Sequence, residues 1–97
     1  MKIYCVKDED NDGYGTPQFV VNDTIAVRTF KTVVQQEGSN IHLYPDRHNL
    51  YCIGEYDSSK GTITPMKNPT LIAQGEFFRT DDQKDQMSML DNQGKGE

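Results

Sequence analysis

Hydrophobic positions along this chain first alternate, then recur at helical spacing, then alternate again. Residues 1–7 (MKIYCVK) are rich in β-branched and aromatic side chains, which predicts a strand with Ile3 and Cys5 on one face and Tyr4 and Val6 on the other. Residues 8–15 read as an acidic, glycine-containing turn, and residues 17–21 (PQFVV) as a short extended stretch. Asn22 or Asp23 then caps a helix that runs to Glu37. Ala26, Phe30, Val33 and Val34 fall on one face of it, Ile25 and Val27 flank them, and Gly38 supplies the stop. Arg28, Lys31, Gln35 and Glu37 are left for water.

Residues 39–49 are polar and interrupted by Pro45, the pattern of a loop. Three more strands are expected: residues 50–56 (LYCIGEY), then residues 61–66 (GTITPM) after a DSSKG turn, and residues 70–78 (TLIAQGEFF). Pro65 marks an edge or a strand end. One amphipathic helix packed on a small antiparallel sheet of three to five strands uses every element, so the expected class is α+β.

A chain of 97 residues makes one small domain. Composition shifts after Arg79: residues 80–97 hold only Met87, Met89 and Leu90 as apolar side chains, and set Asp81, Asp82, Asp85, Asp91 and Glu97 against Lys84 and Lys95. The expected division is a domain over residues 1–79 and a polar, acidic, disordered tail over residues 80–97. Within that tail Met87–Leu90 forms an apolar island that a partner could order. Mean hydropathy is -0.78 and no apolar run approaches the ~20 residues needed to cross a bilayer, so no membrane association is expected. The beginning turns acidic by residue 8, unlike a secretory leader, so the cytoplasm is the expected compartment and Cys5 and Cys52 are expected as reduced thiols.

Ten basic against fifteen acidic residues leave a net charge of -5. Coating nucleic acid without regard to sequence rests on Lys and Arg neutralising phosphates, and this balance argues against it.

Few residue patterns point to chemistry. Asp8, Asp10, Asp12 and Gly13 fit the first half of a calcium loop, but the position that should carry a bidentate Glu is Phe19, and an acidic hairpin turn is the better reading. His42, Asp46, His48 and Cys52 include metal-ligand types without zinc spacing and read as a surface loop with two exposed histidines. No P-loop, dinucleotide glycine pattern or serine elbow occurs. No catalytic residue, no metal and no cofactor is expected, and the chain does not read as an enzyme.

The aromatic residues Tyr4, Tyr51, Tyr56, Phe77 and Phe78 allow two readings. A small core needs its few large side chains, and core packing is the simpler account, with Tyr56 the exception. The other reading places rings on an open sheet face to stack single-stranded bases, with phosphate contacts drawn from Lys2, Lys7, Arg28, Lys31, Arg47, Lys60, Lys67 and Arg79; Tyr4, Tyr51 and Tyr56 with Arg28, Lys31 and Lys60 are the candidate site.

The order of these signals carries a resemblance. Tyr14, Gly15, Thr16 and Pro17 follow the acidic turn; Asn22, Asp23, Ala26, Arg28 and Phe30 open the helix; Leu50, Tyr51, Ile53, Gly54, Glu55, Tyr56 and Asp57 form one strand; Gly61, Pro69, Leu71, Ile72 and Ala73 complete the set. Over residues 2–78 this is similar to a small nonstructural protein of gokushovirus-type microviruses, single-stranded DNA phages in which it is assigned to the fifth open reading frame. By analogy with the C protein of related microviruses, the resemblance implies action in the host bacterial cytoplasm at the switch between genome replication and packaging. Some such proteins are labelled DNA-binding. No catalytic residue carries over.

The leading expectation is a non-enzymatic phage accessory protein that recognises replication or packaging proteins. The alternatives are direct single-stranded DNA binding through an aromatic sheet face, and an acidic inhibitor of a host factor. An edge strand left open in so small a sheet adds a homodimer to the expectations.

Overall fold

The computed structural model describes residues 1–80. The apolar run at the beginning forms β1 (Lys2–Asp8), which is central: on one side it pairs antiparallel with β4 (His48–Asp57), and on the other it is shared by two short strands. Of these, β2 (Gly13–Tyr14) lies beside the end of β1 and β3 (Gln18–Val20) beside its beginning. The far edge is β5 (Thr62–Gln74), paired with β4, so the sheet runs β2-β1-β4-β5 with β3 next to β2 along the same side of β1. Class and strand number are those the pattern predicts.

The acidic turn between β1 and β2 folds on its own side chains. Asp8 accepts from the Asp10 backbone N–H at 3.0 Å and from Asn11 Nδ2 at 3.0 Å, and Asp12 takes the left-handed conformation with φ 53°. Helix α1 (Asp23–Gln35) begins where Asn22 Oδ1 accepts from the Ile25 backbone N–H at 2.9 Å. Its Ala26, Phe30 and Val34, spaced four apart, are buried against Tyr4, Leu50 and Cys52 of the sheet. The chain leaves the helix through Gly38, whose φ of 93° suits glycine.

Residues 39–49 are more ordered than a loop. Ser39 caps a short helix α2 (Asn40–Leu43), accepting from the His42 backbone N–H at 3.0 Å, and Pro45 opens a 3-10 turn (Pro45–Arg47). His48 is the first residue of β4 and only 8 % exposed, with Nδ1 2.8 Å from the Tyr44 carbonyl; His42 is half-buried, with Nδ1 3.0 Å from the Val34 carbonyl. The expectation of two exposed histidines is therefore corrected: each ring folds back onto a carbonyl and packs.

The two strands expected at residues 61–66 and 70–78 are one strand. Thr62–Pro65 pair with Gly54–Asp57, Thr70–Gln74 pair with Asn49–Cys52, and residues 66–69 bow out against the single residue Ile53. The strand ends at Gln74, and Gly75–Phe78 form a 3-10 turn that brings Phe78 against Phe30, ring centroids 6.1 Å apart. A β-carbon on Gly75 would meet the Pro45 and His48 carbonyl oxygens at 2.4 and 2.5 Å, so this crossing of backbones requires glycine. Cys5 and Cys52 are both buried and free; they lie on adjacent strands but on opposite faces, Cys52 beside Tyr4 and Cys5 beside Tyr51. Among the described residues no helix is long and apolar enough to cross a membrane. The tail from residue 81 onward, with the Met87–Leu90 island, lies outside the described residues.

Candidate functional site

Helix α1 covers one face of the sheet, and alternation along β1 sends Ile3, Cys5 and Lys7 to the other. Cross-strand register fills that open face: Tyr51 and then Leu71 sit beside Cys5, Tyr14 and Asn49 flank Lys7, Phe19 is opposite Ile3, and Ile63 is opposite Tyr56. Two edge-to-face ring pairs result. Tyr14 and Tyr51 have centroids 5.8 Å apart at 77°, and Phe19 and Tyr56 have centroids 5.5 Å apart at 89°.

This face is apolar where a solvated antiparallel face would alternate to polar residues. Tyr14, Phe19 and Leu71 are each 45 % exposed and Ile63 is 59 % exposed. Ile3 and Cys5 are buried although they lie outside the cluster under the helix. Burial pushes the Cys5 thiol up.

One end of the face is a charged network. Lys7 Nζ lies 5.5 Å from the Tyr14 ring centre and 5.9 Å from that of Tyr51, and it is held by Asp12 at 2.9 Å and Glu9 at 3.2 Å. The other Glu9 oxygen accepts from Asn49 Nδ2 at 2.6 Å and from the Tyr51 hydroxyl at 3.0 Å. The Asn49 hydrogen bond, with those from Lys7 and Tyr51, holds the Glu9 carboxyl below its ordinary range. Asp12 and Glu9 together raise Lys7, which stays charged. Burial, followed by the Glu9 hydrogen bond, raises the Tyr51 hydroxyl. The cation on this face is thus neutralised within the chain.

The residues proposed for nucleic acid contact do not converge. Tyr4 is 2 % exposed on the helix side, and its hydroxyl donates to Asp23, so its ring is core and has no face left to stack a base. Tyr51 and Tyr56 are half-buried on the open face, as the stacking arrangement requires. Arg28 and Lys31 are exposed on α1, with the sheet between them and those two rings. Lys60 is exposed in the turn between β4 and β5, at the Tyr56 end. Phe78 packs in the core, and Phe77 is 76 % exposed in the last 3-10 turn.

The calcium-like acids are engaged elsewhere: Asp8 holds its own turn, Asp10 accepts from Arg47 Nε at 2.8 Å, Asp12 pairs with Lys7, and Phe19 supplies a ring. Sequence reasoning missed Tyr14 and Phe19 as members of the open face. Their strands of two and three residues are too short for alternation to register, and the signal that finds them is the pairing of both with β1.

Fold and site define a small α+β protein with a helix on one sheet face and an uncovered aromatic surface on the other. A protein-family model described as Phage ORF5 protein matches residues 1–78, and the chain belongs to that family of phage proteins. No curated protein and no solved structure matched the chain.

Proposed function

We propose that the chain is a non-enzymatic phage accessory protein that binds other proteins and acts at the switch between replication of a single-stranded genome and its packaging. One observation carries the choice of protein over nucleic acid. The open face presents Tyr14, Tyr51, Phe19 and Tyr56, and the cation set against the first two, Lys7, is already matched by Asp12 and Glu9. Single-strand binding surfaces join stacking rings to a positive groove that tracks the backbone. Here Arg28 and Lys31 are on the other side of the sheet from the rings, and Lys60 alone stands at the Tyr56 end, which makes no groove of positive charge. An apolar, charge-poor surface suits the centre of a protein interface instead. The phage family supports the viral setting, and the replication-to-packaging role is the reading that the resemblance suggests.

Affinity capture from phage-infected cells tests this. The expected result is retention of a phage-encoded replication or packaging protein that survives nuclease treatment. Retention that nuclease abolishes would instead assign the chain to nucleic acid.

A further inference from the structure

We infer that the open sheet face is where a second copy of this chain docks, the two sheets packing face to face with a helix on each outer side. The inference rests on the reading of this face as a protein-binding surface, and it names the first protein bound there. Four strand positions at roughly 4.8 Å, by the length of β4 from Asn49 to Tyr56 at roughly 3.3 Å per residue, give a flat area of about 440 Å². A surface studded with side chains exposes more than its flat projection, on the order of 700 Å², close to the ~800 Å² per partner of a stable interface.

Composition favours a copy of the same chain. Across the middle of the face stand Phe19, Tyr56, Ile63, Leu71 and Tyr51, none charged, which is the character of homodimer interfaces. Lys7 is satisfied by Glu9 and Asp12 of its own copy, so the face needs no complementary charge from a partner, and a two-fold axis can set it against itself. The free edge of β5 is the poorer meeting place. Pro65, Lys67 and Pro69 stand in or beside its bowed segment, residues of the kind that block pairing along an edge. Each copy carries a net charge of -5, so association is opposed at long range, and screening by salt should strengthen the dimer.

Sedimentation equilibrium of the full chain from about 1 to about 100 µM, at low and physiological salt, tests the inference. The expected result is twice the 11.0 kDa chain mass, with tighter association as salt rises. Ile63→Asp and Leu71→Asp should each weaken the dimer by about tenfold or more, because each places a carboxylate in a desolvated contact. Leu43→Asp, on α2 and 57 % exposed, should leave it unchanged. All three positions are exposed, and thermal melts establish that the variants fold. A chain of 11.0 kDa at every concentration overturns the inference, as does a dimer indifferent to both face variants. If such a monomer still retains a phage protein after nuclease treatment, the dimer alone fails; if its capture is lost with nuclease, the functional reading fails with it.

Discussion

The Tyr4 hydroxyl donates to the Asp23 carboxylate and so ties the central strand to the first turn of the helix. Lys2 Nζ reaches the same Asp23 oxygen at 3.4 Å, and Asp23 also sits where a helix favours negative charge. The hydrogen bond from Tyr4, and then Lys2, hold the Asp23 carboxyl below its ordinary range; burial, and then Asp23, push the Tyr4 hydroxyl up. One bond thus joins the buried ring to the first turn of the helix.

Tyr4→Phe should destabilise the domain by about 1 kcal/mol, the worth of one hydrogen bond, because the Asp23 carboxylate left behind can still reach water. Chemical denaturation at neutral pH measures this. The tyrosine value is raised in the folded state, so its contribution is whole below pH ~10 and is lost as pH rises beyond that. The variant should therefore narrow its deficit in alkali.

Asp23 and Glu9 carry the opposite sign. Both carboxyls are depressed in the folded state, so their stabilisation is present above their ordinary values near 4 and is lost as pH falls through the folded ones. Melting temperature should drop from about pH 5 downward. Glu9→Gln should be less stable than the wild type at pH 7, and the gap should shrink as pH falls below the ordinary carboxyl range and the wild-type carboxyl takes up its proton. An undiminished gap in acid would remove Glu9 from this account.

The helix register is open to a direct comparison. Val34 is 0 % exposed, and Val34→Ala should cost about 2 kcal/mol through lost packing and the cavity left behind. Ile25 is 40 % exposed, and Ile25→Ala should change stability by less than about 0.5 kcal/mol. Equal effects would mean that the apolar stripe is misassigned.

Two glycines should separate a clash from a conformational need. Gly75→Ala drives a methyl into the carbonyls of Pro45 and His48 and should cost about 2 kcal/mol or more. At Gly38 a β-carbon meets nothing within 4 Å, and only its φ of 93° is strained, for about 1 kcal/mol. In a domain this small each kcal/mol lowers the melting temperature by about 4–8 °C, so calorimetry resolves the two.

Local signals explain what could be read from the sequence. Asn22, the Ala26–Phe30–Val34 spacing and Gly38 are a cap, a stripe and a stop, and together they define the helix without reference to anything distant. The alternation of β1 set Tyr4 and Cys5 on opposite faces for the same reason. Pairing partners are not local. Pro65 and Pro69 punctuate residues 62–74 as if two strands met there, yet both halves pair with β4: Pro65 is the last paired residue of the first half, opposite Gly54, and Pro69 lies in the bowed segment. Burial of His48 depends on Tyr44 and Gly75, and the company of Tyr14 and Phe19 depends on β1, so none of these is written in neighbouring residues. The face that Tyr4 occupies was legible; which face the helix would cover was not.

Fluorescence anisotropy of labelled single- and double-stranded oligonucleotides tests the central claim, that this aromatic face serves protein and not nucleic acid. With Arg28 and Lys31 on the far side of the sheet from the rings, Lys7 neutralised by Asp12 and Glu9, and Lys60 alone at the Tyr56 end, the curves should stay flat even at low salt. Micromolar binding that prefers single strands, weakens as salt rises and is lost in Tyr51→Ser would contradict the account and make the open face a base-stacking platform.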